Sequence, residues 1–320
     1  MWESRWEQLF SLIKEDINET KEKLPALRYE QIGNLYGTKE KAAKVIIQGY
    51  YGALNTGDDL ILEAISNHIK EKHPNTLIMV AGFNRVNITL KQGFYSLPRT
   101  DVFRMDRYIR EADLLIYGGG GLLNDYTFNR SAGVPDFFDG FTHGITGMGI
   151  PPTMANIHEV PRMYFALGVG PLTNPEAKKF AKFMVNQMDI VTVRDKYSKE
   201  LLKSIDGIEK EIIQTSDPTY MLEYPGTTLA TEYFNKQGIK NDLILVSLRD
   251  WIDSPAQFEE NMAKYLDGVL ENGNGTILFF PYQFGSGKSD ANRIHQRVQE
   301  MMKNKNRTFI YEHKANYSEF

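Results

Sequence analysis

The feature that most constrains this chain is an alternation of short aliphatic segments with segments of helical spacing, which begins near residue 42. The aliphatic segments do not alternate strictly between polar and apolar residues, so they suit strands that are buried on both faces. Strands of this kind, separated by helices, are typical of parallel sheets in α/β proteins. We therefore predict a first set of strands near 45–47, 76–81, 113–117, 163–167, 190–193 and 212–214, and a second near 243–248, 276–280 and 308–311.

Two Rossmann-like parallel-sheet domains account for these two sets of strands. We place the first at residues 36–225 and the second at 240–320, because proline and glycine residues interrupt the pattern between them. Residues 1–35 have the spacing of one amphipathic helix, and its mixed polar charges favour docking on a core over anchoring on a membrane surface. The second domain has only three strands and two helices in about 80 residues, so we expect it to be incomplete at its C-terminal end.

Composition excludes several classes of function. The 320 residues contain no cysteine, which rules out disulfides, a thiolate nucleophile and cysteine-based zinc sites. The formal net charge of −4 argues against nucleic acid as a partner, and no stretch approaches the roughly 20 apolar residues of a membrane span. None of the six histidines has metal-site spacing, although His143 and His158 lie in loops that could reach a cleft. The N-terminus lacks a secretory signal, so we expect a cytoplasmic protein, in solution or at the inner face of the membrane.

A glycine-rich turn follows the first predicted strand, at the carboxyl end where parallel sheets bind ligands. Asp58 and Asp59 complement the dipole of the helix that we expect to begin near Asp59, so a phosphate at that terminus is disfavoured. Carboxylates suit hydroxyl groups instead, with Asp58 as a hydrogen-bond acceptor or general base, unless the two residues only cap the helix. The candidate site residues in this turn are Tyr51, Gly52, Asn55, Gly57 and Asp58.

Four consecutive glycines follow the predicted strand 113–117. Such a run has a large conformational-entropy cost on folding, so we expect that side chains at these positions would collide with a neighbouring group. The simplest explanation is that a ligand or a crossing element comes close to the bare backbone. The alternative is packing between a helix and the sheet. The run does not match the Gly-x-Gly-x-x-Gly dinucleotide fingerprint. We predict that substrate is bound by these glycines and by further residues at strand ends, namely Gly118, Gly119, Gly120, Gly121, Asn124, Gly168 and Gly170.

Basic residues at two predicted strand ends are candidates for binding an anion. Arg194 closes a strand of the first domain, and Arg249 closes the corresponding strand of the second. A guanidinium can bind a carboxylate or phosphate through two parallel hydrogen bonds, although Arg194 could instead pair with a local carboxylate. Asp217 is placed to orient Arg194. Lys288 lies in a phosphate-loop-like segment where Tyr282 replaces the required first glycine, so Lys288 is at most an auxiliary cation.

Taken together, these segments resemble the polysaccharide pyruvyl transferase family. The resemblance rests on five sequence motifs, here called strings, that occur in order between about residues 45 and 220. A weaker match follows at 246–249. Each string is weak alone, but the set in this order is specific. The strings are Gly49-Tyr50-Tyr51-Gly52 with Asn55-Thr56-Gly57-Asp58, Ala112-Asp113 with the four glycines, Ala166–Leu172, Thr192–Asp195 with Ser198, and Asp217-Pro218.

The resemblance implies a glycosyltransferase-B-like architecture of two Rossmann-like domains. It also implies transfer of an enolpyruvyl group from phosphoenolpyruvate to two hydroxyls of a sugar, which gives a pyruvate ketal in cell-surface glycan synthesis and uses no cofactor. Arg194 and Arg249 would bind the donor, and Asn55 and Asp58 would bind a carbohydrate acceptor, free or lipid-linked. The family's Arg-x-His segment, which resembles the source of its general acid, is expected beyond the last strand, and none follows residue 311. Either the sequence is shortened, or this homologue binds without turnover.

Two other functions stay open at this point. One is a glycosyltransferase of the same architecture that uses a nucleotide-sugar, for which the second domain would need a base- and ribose-binding set that the sequence does not display. The other is a non-catalytic glycan-binding homologue, which the missing C-terminal segment would fit. The sequence does not indicate an oligomeric state.

Overall fold

The computed structural model describes residues 43–97, 101–126, 147–223, 226–239, 242–250, 257–284 and 291–311. These residues form two compact units. The first contains 43–52 and the described residues from 61 to 222, and the second contains Ala53–Leu60 and the described residues from 223 to 311. The helix predicted at 1–35 lies outside the described residues, as do His143 and Lys288.

The first unit is built on a parallel sheet. Its strands are β1 (Lys44–Gln48), β2 (Leu77–Ala81), β3 (Tyr95–Leu97), β4 (Leu114–Gly118), β5 (Arg162–Leu167), β6 (Ile190–Val193) and β7 (Ile212–Gln214). In the described part of the chain they pair in the order β3-β2-β1-β4-β5-β6-β7, and every neighbouring pair is parallel. Six of these strands lie where the aliphatic segments predict them, and the three-residue β3 is the addition.

Helices connect these strands in the manner of a doubly wound fold. They are α1 (Thr56–Lys72), α2 (Arg85–Asn87, which continues as a π-helical turn over Ile88–Gln92), α3 (Val102–Arg110), α4 (Ile150–Ile157), α5 (Pro175–Gln187) and α6 (Lys196–Lys203). Side-chain caps begin several of them, as when the Asp101 carboxylate accepts from the N–H of Arg104 and the Asn174 amide accepts from the N–H of Glu176.

Both faces of this sheet are covered, which explains why apolar residues occupy consecutive positions in its longer strands. On one face, Ile46 of β1 joins a buried cluster with Ile109 of α3. On the other face, the adjacent Ile47 joins a buried cluster with Ile61 and Ile65 of α1. Successive side chains of a strand point to opposite faces, so a strand between two helical layers must be apolar at every position.

The second unit has a smaller parallel sheet. It contains α7 (Thr228–Gln237), β8 (Leu243–Val246), α8 (Phe258–Glu271), β9 (Thr276–Phe279), α9 (Ala291–Met301) and β10 (Thr308–Ile310). Among the described residues the strand order is β10-β9-β8, again all parallel. Ile277 and Phe279 of the central strand are fully buried against Leu266 of α8 and Val298 of α9.

The segment Ala53–Leu60 completes the second unit although it is distant in sequence. The N–H of Thr56 donates to the carbonyl of Tyr282 over 2.8 Å, and the N–H of Phe284 donates to the carbonyl of Leu54 over 2.8 Å. The first residues of α1 are therefore paired with the loop that follows β9. Every helix in the described ranges is too short or too polar to cross a membrane.

Candidate active site

The strand order identifies where a ligand site is expected in the first unit. After β3 the chain returns to the other side of β1, so the order reverses between β1 and β4. Open α/β sheets bind ligands beyond the carboxyl ends of the strands at such a reversal. Glycine-rich turns at 49–52 and 118–121 follow these two strands, as the sequence predicts.

Tyr51 occupies the space between the two glycine turns. Its side chain is 1% exposed, and its hydroxyl donates to the carbonyl of Gly118 over 2.8 Å. A methyl group on Gly49 would lie 2.5 Å from the Tyr51 ring, and one on Gly118 would lie 2.5 Å from the Tyr51 hydroxyl. Both glycines are thus needed for the packing of this tyrosine. The predicted substrate contact of Tyr51 has no open surface in this structure.

Packing against helices also accounts for Gly119 and Gly52. Gly119 has φ +48°, and a methyl group there would lie 2.3 Å from Ile61 of α1. Gly52 has φ +74°, and a methyl group there would lie 2.4 Å from the carbonyl of Asn84. A methyl group on Gly118 would also lie 2.8 Å from Ile65 of α1. Helix–sheet packing, the alternative explanation of the glycine run, therefore applies to its first two members.

The last two glycines of the run have different surroundings. Gly120 has φ +72°, and its carbonyl accepts from the N–H of Gly168 over 2.7 Å. Gly121 is exposed, and a methyl group there would meet no atom within 4 Å. Asn124 closes this turn by donating from its amide to the carbonyl of Gly121 over 2.5 Å. Open space for a ligand therefore begins at Gly121.

Arg194 lies beside this turn, at the end of β6. A methyl group on Gly168 would lie 2.9 Å from Nη2 of Arg194 and 2.9 Å from the carbonyl oxygen of Gly120, so the guanidinium packs directly over Gly168. Nη1 of Arg194 donates to Oδ2 of Asp217 over 2.9 Å. Both the predicted pairing with Asp217 and the proximity of Arg194 to the glycine run are therefore present. The Arg194 side chain is 32% exposed, so the site is open to solvent.

Asp217 is held in its ionised form. Burial alone would raise the pKa of this carboxyl, but hydrogen bonds from the N–H and hydroxyl of Thr219 and from Arg194 outweigh it and lower the pKa. Asp195, the second carboxylate near Arg194, lies 3.8 Å from Nε and caps α6 by accepting from the N–H of Ser198. The two acids fix the guanidinium from different sides.

Gly170 follows β5 and packs at the same edge of the sheet. It has φ +110°, and its N–H donates to the carbonyl of Leu123 over 2.8 Å. A methyl group on Gly170 would lie 2.9 Å from Leu201 and 3.0 Å from the Tyr197 ring. The hydroxyl of Ser198 accepts from the N–H of Val169 over 2.9 Å. The family-like strings at 166–172 and 192–198 are therefore packed against each other.

The predicted residues Asn55, Gly57 and Asp58 belong to the second unit. Oδ1 of Asn55 accepts from the N–H of Gly57 over 3.0 Å and from the N–H of Asp58 over 3.3 Å, so Asn55 caps α1. The helix thus begins at Thr56, and the explanation of Asp58 or Asp59 as its cap is wrong because Asn55 takes that position. Asp58 is partly exposed in the first helical turn, whereas Asp59 is buried.

Two further sequence candidates lie elsewhere. Arg249 follows β8 in the second unit and is exposed. His158 precedes β5, at the amino ends of the strands, and its Nε2 lies 2.6 Å from Oδ1 of Asp106. The expectation that His158 reaches a ligand cleft is wrong, because amino and carboxyl ends of parallel strands lie at opposite edges of a sheet. In the ranges that the structure describes, no group of acidic residues and histidines is arranged to bind a metal ion.

Solved structures of similar fold define the class of this protein. A putative UDP-N-acetylglucosamine 2-epimerase from Listeria monocytogenes has 12% identity and a TM-score of 0.51, with 87% of this chain and 71% of that chain covered. A glycosyltransferase from Rickettsia africae ESF-5 has 10% identity and a TM-score of 0.53, with 88% and 70% covered. At such identities the likeness concerns the fold alone. It confirms the predicted class, an α/β protein with two Rossmann-like parallel sheets of the glycosyltransferase-B type.

Comparison with family models gives a narrower assignment than the fold does. A family model described as polysaccharide pyruvyl transferase matches residues 55–319. The chain belongs to the polysaccharide pyruvyl transferase family, as the sequence strings indicate. Membership of this family indicates a transferase. Comparison with curated protein sequences gives no significant match.

Proposed function

We propose that this protein transfers the enolpyruvyl group of phosphoenolpyruvate to two hydroxyls of a sugar. In the reaction, both sugar hydroxyls lose their protons and their oxygens bond to C2 of the donor, while the C2–O bond to phosphate breaks. The methylene carbon gains one proton and becomes a methyl group, and the released phosphate takes up the other. The products are a pyruvate ketal and inorganic phosphate. We place this reaction in the cytoplasmic synthesis of a cell-surface glycan, with a free or lipid-linked acceptor.

The arrangement of Arg194 is the observation that carries the proposal. Nη1 is bound by Asp217, and Nη2 lies over Gly168, next to the exposed backbone at Gly121. Within the described part of the chain, Nη2 donates to no protein acceptor, so it is available to an oxyanion. Phosphoenolpyruvate carries a carboxylate and a phosphate, and both bind guanidinium groups well.

A cation here also supports the chemistry of the proposed step. Negative charge accumulates on the phosphate as its bond to C2 breaks, and a fixed guanidinium stabilises that charge without reorganising. The surrounding acids set the orientation of Arg194 before substrate arrives. Asp217 therefore acts through Arg194 as a positioning residue in this proposal.

Exposed tyrosines near Arg194 support a carbohydrate acceptor. Tyr197 in the first turn of α6 is 62% exposed, and Tyr220, three residues after Asp217, is 85% exposed. Both follow strands that end at the same edge of the sheet as Arg194. A tyrosine ring offers a flat apolar face together with a polar hydroxyl, which suits a sugar ring with its hydroxyl groups. Asn55, Asp58, Arg249 and Lys288 stay predictions for this function.

Isothermal titration tests the proposal against its alternatives. We expect phosphoenolpyruvate to bind the wild type, and Arg194→Ala to weaken that binding by about 10- to 100-fold, as for the loss of a charge-assisted hydrogen bond. Arg107→Ala, which removes an exposed arginine on α3, is the matched control and should bind normally.

The alternatives give different results in the same titrations. Binding of UDP without binding of phosphoenolpyruvate would support a nucleotide-sugar glycosyltransferase. Binding of neither, with retained binding of a pyranoside, would support a non-catalytic glycan-binding homologue. Unchanged affinity for phosphoenolpyruvate in Arg194→Ala would contradict the role of this residue.

A further inference from the structure

A short segment of the second unit, residues 247–250, is fixed from one helix on both sides of Arg249. The segment extends beyond the carboxyl end of β8, the edge at which parallel sheets bind ligands. Leu248 and Asp250 are both hydrogen-bonded to side chains of α9, and Arg249 between them is exposed. The chain is thus held on both sides of the arginine, through the backbone at Leu248 and through the side chain at Asp250.

The first contact is made by a buried histidine. The N–H of Leu248 donates to Nε2 of His295 over 2.9 Å. His295 is 0% exposed, and its ring packs on Phe279 of β9 with the ring centroids 5.3 Å apart. Because Nε2 accepts a hydrogen bond, the proton of the neutral ring must be on Nδ1, which faces Oδ1 of Asn292 at 3.1 Å.

This geometry distinguishes His295 from a general acid. Arg293-Ile294-His295 is an Arg-x-His string that lies on α9, before the last strand and not beyond it. A general acid must reach the atom that it protonates. His295 is buried, and each of its two ring nitrogens already faces a protein partner.

The second contact is made by Arg297, two residues further along α9. Nη2 of Arg297 donates to both carboxylate oxygens of Asp250, over 2.9 and 3.0 Å. Nε of Arg297 donates to Glu259 at the start of α8, over 3.1 and 3.0 Å to its two oxygens. The hydrogen bonds with Glu259 and then Asp250 raise the pKa of Arg297 against the opposing effect of burial. Asp250 is therefore bound to a permanently charged partner.

We propose that His295 and Arg297 are positioning residues that hold Arg249 to bind an oxyanion at the carboxyl end of β8. An arginine on a loose loop loses backbone entropy when it binds a ligand, and prior fixing of its two neighbours reduces that loss. The identity of the oxyanion as phosphoenolpyruvate rests on the proposed function. The positioning itself rests only on contacts within the second unit.

A double-mutant cycle with Arg249 tests this inference. Affinity for inorganic phosphate and for phosphoenolpyruvate is measured by titration for the wild type, Arg249→Ala, His295→Met and the double variant. We expect Arg249→Ala to weaken binding by about tenfold. His295→Met removes the acceptor but keeps an apolar side chain of similar size, and should weaken binding by about three- to tenfold. In the Arg249→Ala background, His295→Met should have almost no further effect.

Three further variants exclude a merely structural effect. His295→Gln keeps an acceptor for the Leu248 N–H and should retain nearly wild-type affinity. Arg297→Met should weaken binding as His295→Met does, whereas Arg293→Met removes an exposed arginine from the same helix and should not. The Arg297 side chain is 39% exposed, so Arg297→Met is expected to fold. It can therefore test the inference if His295→Met does not fold.

The outcomes separate this inference from the proposed function. Equal effects of His295→Met with and without Arg249, or normal binding by Arg297→Met, would overturn the positioning role. Binding of phosphate but not of phosphoenolpyruvate would remove the proposed function, and the phosphate titrations would still decide the inference. Failure of the wild type to bind either anion would overturn both.

Discussion

Gly168 and Gly121 lie at the same edge of the first sheet, yet an added methyl group meets different surroundings at each. At Gly168 it would lie 2.9 Å from both Arg194 and the carbonyl of Gly120, whereas at Gly121 it would meet nothing within 4 Å. We expect Gly168→Ala to lower the free energy of unfolding by about 1–3 kcal/mol, as for overpacking, and to weaken binding of phosphoenolpyruvate by displacing the guanidinium.

The matched variant Gly121→Ala is the control for stability. It adds the same methyl group where no protein atom lies within 4 Å and should leave the midpoint of urea unfolding within error of the wild type. Donor affinity measured by titration should be lower in Gly168→Ala than in the wild type. Equal affinities in Gly168→Ala and the wild type would mean that the guanidinium does not depend on the bare backbone at Gly168.

The charge state of Asp217 leads to a prediction about pH. Its pKa is lowered in the folded protein, so its ionised form stabilises the fold above the unfolded-state pKa of about 3.9, and this contribution is lost as the pH falls through the lower folded-state value. Asp217→Asn should therefore lose less stability than the wild type between pH 5 and pH 2. Urea unfolding across that range measures the difference, with Asp206→Asn, an exposed carboxyl on the surface, as the control.

At the level of single residues, the sequence identifies the important glycines but not the contact that requires each glycine. Gly118 and Gly119 look like Gly120 and Gly121 in the sequence, but the first pair is required by Tyr51 and Ile61. Those contacts join residues more than fifty positions apart, so no local pattern contains them. The pairing of Arg194 with Asp217 could be predicted because both residues follow neighbouring strands.

Among the elements, the long aliphatic strands are the ones that the sequence predicts well. β1, β2, β4 and β5 are five or six residues long and have at least three consecutive apolar residues, because helices cover both faces of the sheet. β3 has three residues, and α2 is a short helix that passes into a π-helical turn. β3 pairs with β2, and neither β3 nor α2 has a periodic pattern of its own, so the sequence does not indicate them.

The start of α1 gives a prediction that separates capping from ligand binding. Oδ1 of Asn55 accepts from the N–H groups of Gly57 and Asp58, so Asn55→Ala leaves these groups without their cap. We expect it to lower the free energy of unfolding by about 1 kcal/mol, and Asn55→Asp, which keeps the acceptor, to cost much less.

Chemical unfolding and acceptor kinetics measure the two roles of Asn55 separately. A capping residue changes stability and leaves the KM for a sugar acceptor unchanged in the folded protein. A raised acceptor KM in Asn55→Asp, with stability preserved, would instead support the predicted carbohydrate contact.

On the scale of the whole molecule, the compact units are not contiguous in sequence. Domain boundaries at 36–225 and 240–320 follow from composition, which can only divide a chain at points along its length. Ala53–Leu60 nevertheless belongs to the second unit, where it is bonded to the loop after β9. Such a grouping depends on hydrogen bonds between residues some 230 positions apart, as for Gln283 and Ala53, and has no local signal in the sequence.

This grouping predicts that residues 223–320 do not fold to the same state when they are produced alone. Without Ala53–Leu60, the carbonyl of Tyr282, the N–H of Phe284 and the amide of Gln283 lose their partners. Each lost bond costs about 0.5–1.5 kcal/mol, and a three-stranded sheet has little stability in reserve. Amide hydrogen exchange should therefore be fast at Phe284 in the fragment and slow in the whole chain. Equal protection of this amide in both, with one cooperative unfolding transition for the fragment, would show that the second unit does not need the distant segment.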